Sequence, residues 1–268
     1  MSFHALPGIV SLAALIVGSM PWAISGLHPE RIDSHTMAFS SMEVAVGDTD
    51  PTDSIRFRER IENDLSKLGP NGRDRGRWPE AISSSTTTWQ FYACKELLSG
   101  LNPMVIASQA ISYSTVDFAN APLYGPEKCR KLPFAAVYDI SIGWLPIVYS
   151  RDGTVMFTAF DSSARYTLAT LTGTGAHQVV GMARLTPDAA RNVLVQFDCA
   201  KSAGAGGVVY AKPGSGVTGD GQPVAFAGSG VPAEVWMTTN SVREIAVKVP
   251  TGYVCAVREK AYRDSELP

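Results

Sequence analysis

Beyond Lys131 the chain is cut by Gly, Pro and Ser into short runs in which apolar residues recur at every second position. This punctuation constrains the fold more than any other feature of the sequence. In Asn192–Cys199, Val193, Val195, Phe197 and Cys199 share one side while Gln196 and Asp198 take the other, as a half-buried strand requires. The stretch PFAAVYDISIGWLPIVY is rich in β-branched and aromatic residues. Ser150, Arg151, Asp152 and Gly153 then form a turn signal, with Gly153 free to take positive φ, before TVMFTAF resumes as a strand. YTLATL, HQVVGMARL, VVYAK, PVAFAG, AEVWMT, REIAVKV and YVCAV continue the series. About nine short strands at such spacing predict an all-β body over 131–268, a single jelly roll or β-sandwich with a short C-terminal tail. The intervening helices are too few for a parallel βαβ sheet.

The first half reads differently. Residues 1–29 carry no charge, and Ile9–Val17 is an uninterrupted apolar core bounded by Gly8 and Gly18. Three readings stay open for this arm: a signal peptide, a membrane-touching segment, or an arm packed on the body. Residues 30–54 are polar and turn-rich, which predicts a linker completing an N-terminal region 1–54. A helical and loop region is expected over 55–130. Asp53 or Ser54 would cap a helix from Ile55 to Leu68, with Ile61, Leu65 and Leu68 on its apolar face, and a second short helix would run over Trp89–Leu98.

A formal charge of −2 gives the chain no overall attraction to polyanions, so any nucleic-acid contact rests on local basic groups. Arg73, Arg75 and Arg77 alternate ahead of Trp78, and Lys128, Arg130 and Lys131 precede the first long strand. Arginine beside tryptophan suits single strands, because indole stacks on bases while guanidinium holds phosphates. Cys94, Cys129, Cys199 and Cys255 lie tens of residues apart, with no CxxC pair and no histidine spaced to complete a zinc site. Free buried thiols in a reducing compartment are the expectation, and a secreted protein with two disulfides is the alternative. No metal, cofactor or catalytic centre is expected: TGTGAHQVVG leads into a strand rather than a helix, and Asp161, His177 and Ser162, Ser163 or Ser202 are residues common to almost any β protein that nothing in the sequence brings together.

WLPIVYSRDGTVMFTAFDSSAR resembles the centre of the thirty-kilodalton movement-protein superfamily of plant RNA viruses. Gly153 and Asp161 match that family's glycine and hallmark aspartate, and Arg165 approximates the following basic position. LTPDAARNVLVQFDCAKSAGAGGVVYAKPG resembles the next block, so the likeness covers roughly Pro133–Gly214. The resemblance implies a jelly-roll-like domain, cooperative binding of single-stranded RNA, self-association, and action on host membranes at plasmodesmata, with a viral coat protein as a further partner. The family commonly adds a polar or basic tail, whereas this sequence stops about ten residues after its last strand signal. Two other classes share the strand-rich pattern: a jelly-roll capsid protein of a small RNA virus, and a secreted β-sandwich binding module. Capsid arms that neutralise packaged RNA are rich in Arg and Lys, and here the first basic residue is Arg31.

Overall fold

Ile61, Asn63 and Leu65 are buried while Glu62 and Ser66 face water, so the expected helix over 55–68 is instead a pair of strands. Apolar residues four apart fit both a helix and a strand. The polar residue between them, Asn63, hides the two-residue period, yet it belongs inside because its Nδ2 donates to the Val105 carbonyl at 2.9 Å. The second expected helix is also a strand, Thr87–Cys94, buried on both faces from Trp89 onward. A strand covered on two sides loses its alternation, and such a run cannot be told from a buried helix by periodicity.

The computed structural model describes residues 24–45, 54–68, 76–77, 86–96, 98, 103–109, 128–150, 152–158, 166–187, 190–201, 206–228 and 230–264, and these contain no α-helix. The first half holds β1 (Ile24–Ser25), β2 (Pro29–Arg31), β3 (Thr36–Phe39), β4 (Met42–Ala45), β5 (Ser54–Phe57) and β6 (Ile61–Leu68). It continues with β7 (Gly76–Arg77), β8 (Thr87–Cys94), β9 (Met104–Ser108), β10 (Cys129–Asp139) and β11 (Gly143–Trp144). The second half holds β12 (Ile147–Tyr149), β13 (Thr154–Phe157), β14 (Thr167–Thr172), β15 (His177–Gly181) and β16 (Ala190–Ala200). It ends with β17 (Gly207–Lys212), β18 (Gln222–Phe226), β19 (Ala233–Thr238), β20 (Glu244–Lys248) and β21 (Val254–Asp264). The predicted linker over 30–54 therefore contains strands, and among the described residues β structure begins at Ile24 rather than at Lys131.

Pairing is local to each half. The first half forms a three-stranded sheet β1-β4-β5 and an eight-stranded sheet β11-β10-β8-β9-β7-β6-β3-β2. The second forms the sheet β12-β13-β21-β16-β19, with β14 also on β21, and the four-stranded sheet β15-β20-β17-β18. All ladders are antiparallel except β6–β7 and β7–β9. One apolar core is continuous through both halves: Phe39, Phe91, Phe134 and Trp144 cluster in the first, and Val193, Val195, Phe197 and Val247 line the second. Tyr262 on β21 ties the halves together by donating its hydroxyl hydrogen to the Ala135 carbonyl at 2.6 Å.

The predicted hairpin is present. β12 and β13 pair Ile147 with Phe157 and Tyr149 with Val155, and Gly153 takes φ 78° in the turn, where an L side chain is disfavoured. The free-thiol expectation is overturned, because Cys94 is bonded to Cys129 and Cys199 to Cys255. Each pair sits directly opposite in one ladder, β8 with β10 and β16 with β21, which sequence spacing of 35 and 56 residues does not disclose.

Candidate functional site

The site is built by one extra residue. Along β21, Val257 and Glu259 point into the core, and so does Tyr262, which a strict two-residue period starting from Val257 would turn outward. The register shifts at Leu194–Val195, so that Lys260 and Ala261 together oppose Leu194. This bulge resets the phase. Ala261 then lies between Met156 of β13 and Leu194 of β16, itself fully buried beneath its neighbours. Val148 opposes Met156, and Trp236 opposes Leu194. Val148, Met156, Ala261, Leu194 and Trp236 thus form a straight apolar row across β12, β13, β21, β16 and β19. Val148, Met156 and Trp236 are 54%, 43% and 41% exposed, which is high for side chains of this size.

Charged residues line both sides of the row. On one side Arg263 donates to Asp152 at 2.5 Å and lies over the Trp236 ring at 5.3 Å. The Ser150 hydroxyl, the Thr154 backbone and hydroxyl, and Arg263 together hold the Asp152 carboxyl down at about 2, well below its ordinary range. On the other side Lys260 donates to Glu234 at 2.7 Å, Arg258 to Asp198 at 2.9 Å, and the Gln196 amide to Glu234 at 2.9 Å. The C-terminal arginines and lysine are thus neutralised by carboxylates on neighbouring strands. The surface is an apolar strip with a rim carrying both signs of charge.

The residues singled out in the sequence are not brought together here. Gly153 lies in the β12–β13 turn, but Asp161 and Arg165 lie outside the described residues. So do Arg73, Arg75 and Trp78, and Arg77 is described only as a backbone position of β7. Arg130 is buried and engaged within the fold, while Lys128 and Lys131 are half-buried at the start of β10. His177, at the start of β15, has its Nε2 3.1 Å from the Asp220 carbonyl. Among the described residues no group of three His, Cys, Asp or Glu is placed to hold a metal ion, and no helix is long and apolar enough to cross a membrane. Comparison with known proteins finds no matching family model and no matching curated protein.

Proposed function

We propose that this chain is a structural protein that associates with copies of itself through the outer face of the β12-β13-β21-β16-β19 sheet, a jelly-roll shell protein of the capsid class. The apolar row from Val148 to Trp236 carries this reading. An uncharged strip invites burial, and the rims pair Arg263 with Asp152 and Lys260 with Glu234, so the same surface offers both signs to a copy turned about a two-fold axis. A formal charge of −2 adds negligible self-repulsion. The two bridges suit a particle that persists outside reducing cytosol.

The test is sedimentation with electron microscopy of the purified chain and of a Met156→Glu/Trp236→Glu double variant. The wild type should form shells or discrete oligomers, and the variant should stay monomeric with an unchanged unfolding midpoint, because both side chains lie outside the core. A wild type that is monomeric at tens of micromolar, or a variant that assembles equally well, refutes the reading.

Cell-to-cell movement of single-stranded RNA, at host membranes and plasmodesmata, is the second reading. It is supported by the likeness around the β12–β13 hairpin and by the left-handed Gly153 at the matching position. Three phosphate contacts by Arg73, Arg75 and Arg77 give a logarithmic salt slope of roughly 2 for single strands. Anisotropy titrations across a salt series should show that slope vanish when all three become alanine. No binding at low salt eliminates this second reading.

A further inference from the structure

A glycine-rich strap lies across the outer side of the sheet β15-β20-β17-β18. Residues 213–221 join β17 to β18, and Gly214, Gly216, Gly219 and Gly221 fill four of the nine positions. Among the described residues, no backbone–backbone hydrogen bond outside the strand ladders involves this strap. Three side chains from three adjacent strands hold it instead. Lys212 Nζ donates to the Val217 carbonyl at 2.6 Å and to the Gly219 carbonyl at 2.9 Å. Lys248 Nζ donates to Asp220 Oδ1 at 2.9 Å, and His177 Nε2 donates to the Asp220 carbonyl at 3.1 Å.

The strands bring these donors to one side. Val180, Val247, Val209 and Ala211 take the core side, so His177, Lys248, Tyr210 and Lys212, at odd spacings from them, take the outer side. The ladders set His177 opposite Lys248 and Lys248 opposite Tyr210, with Lys212 two residues further along β17.

The arrangement is a cradle for oxygen atoms. Three of the four oxygens it holds belong to uncharged carbonyls. Lys212 keeps only 8% exposure, and an ammonium withdrawn from water that far binds an anion more strongly than it binds carbonyls. Asp220 is the single acid of the strap, and the Lys248 hydrogen bond, followed by the charges of Lys248, His177 and Lys212, holds its carboxyl below the ordinary range. Glu244, on the same side of β20, is already engaged by the Asn240 amide at 3.1 Å. Lifting the strap therefore uncovers two lysines and a histidine without an acid among them. Neighbouring strands stand about 4.8 Å apart, so donors from three strands span more than one phosphate. A run of phosphates fits the cradle better than a single one.

We propose that the outer side of β15, β20 and β17 binds a ligand carrying successive phosphates, with His177, Lys212 and Lys248 as donors and the strap 213–221 as an intramolecular competitor that lifts to admit it. The site lies on a different sheet from the apolar row and does not depend on self-association. Tyr210, whose ring centre is 5.6 Å from Lys248 Nζ, adds a stacking surface that a nucleic-acid strand would use and a free polyphosphate would not.

Anisotropy titration of the full chain with a labelled oligouridylate, competed by tripolyphosphate, tests the proposal. Asp220→Asn keeps the shape of the strap and removes its charge, and should tighten binding about tenfold, since one charge-assisted hydrogen bond no longer competes for Lys248. Replacing 213–220 by an Asn-Gly turn closes the β17–β18 hairpin directly; it should tighten binding further and raise the logarithmic salt slope by roughly 2, for about three phosphate contacts. Adding Lys212→Ala/Lys248→Ala to the shortened chain should abolish the gain. If the shortened chain does not fold, Asp220→Asn with and without Lys248→Ala makes the same comparison. Displacement by tripolyphosphate at concentrations matching the oligouridylate identifies free polyphosphate as the ligand class, and displacement only at far higher concentrations identifies a nucleic-acid strand; either supports the cradle. Binding that is no tighter in Asp220→Asn or in the shortened chain overturns the proposal, and so does a gain that survives loss of both lysines.

Discussion

Glu259→Gln should make the protein more stable at pH 8 and leave it nearly unchanged at pH 5. Glu259 projects from β21 into the core with no exposed surface. The Thr186 hydroxyl donates to its Oε2 at 2.8 Å, and Oε1 is buried without a hydrogen-bond partner among the described residues. Burial pushes the carboxyl up to about 8, against the opposing pull of Thr186 and of the Arg184 and Arg243 guanidiniums. Both guanidiniums also donate to carbonyls, Arg184 to Thr167 and Arg243 to Thr186. At neutral pH the native side chain is therefore an uncharged acid.

The direction of the pH effect follows from which state holds the proton. Between the unfolded value of 4.5 and the folded value of about 8, the native state keeps a proton that the unfolded state has released, so stability falls as pH rises. The slope is about 1.4 kcal/mol per unit inside the window and zero outside it, and the full loss of roughly 5 kcal/mol persists above 8. Glutamine has the same shape and no titration, so the difference between wild type and variant isolates this group from the four histidines, which cancel. Urea unfolding at half-unit steps from pH 4.5 to 8.5, with a common m-value, measures it. A difference that does not change with pH, or one that favours the wild type as pH rises, refutes the assignment of a neutral buried acid.

Replacing Cys199 and Cys255 together by alanine should lower stability by about 4 kcal/mol, from the closure entropy of a 56-residue loop, read from urea midpoints in matched non-reducing buffer. Gly143→Ala should cost at least about 2 kcal/mol, because φ is 79° and a Cβ there would meet the Ser34 carbonyl oxygen at 1.8 Å; thermal melts check it. Asp152→Asn should destabilise by under roughly 1 kcal/mol near neutrality, since the pair with Arg263 is half in water, and the difference should vanish as pH falls from 3.8 through about 2, where the wild-type carboxylate becomes protonated.

Strands such as β16 and β19 were legible because they bury alternate residues, as Val193, Val195 and Phe197 or Val235 and Met237 do, and turns such as Ser150–Gly153 separate the runs. The first half was not, because its apolar residues answer to different rules. Asn63 breaks the pattern of β6 while paying its polarity into a distant carbonyl, and β8 is covered on both sides from Trp89 to Cys94. The apolar row was beyond sequence reading altogether. Its members come from five strands between Val148 and Ala261, and their alignment depends on the bulge at Lys260–Ala261, which has no local signature. Charge pairing was equally hidden: Asp198, Glu234 and Asp152 lie far from Arg258, Lys260 and Arg263 in sequence and are brought beside them only by strand pairing.

Both bridges join residues that face each other within one sheet, Cys94 with Cys129 and Cys199 with Cys255, and neither spans two layers. Each one is therefore a lock on alignment. A strand displaced by one position turns its core side chains to water, and a bridge formed at the proper alignment prevents that slip. The same property imposes an order of events during synthesis. Thiols must stay reduced until β8 has found β10 and β16 has found β21, since either crossed pairing would staple one half of the molecule to the other. Maturation of this chain is thus a question of timing between strand pairing and exposure to oxidant, and a cell that oxidises it early would accumulate trapped, misaligned molecules.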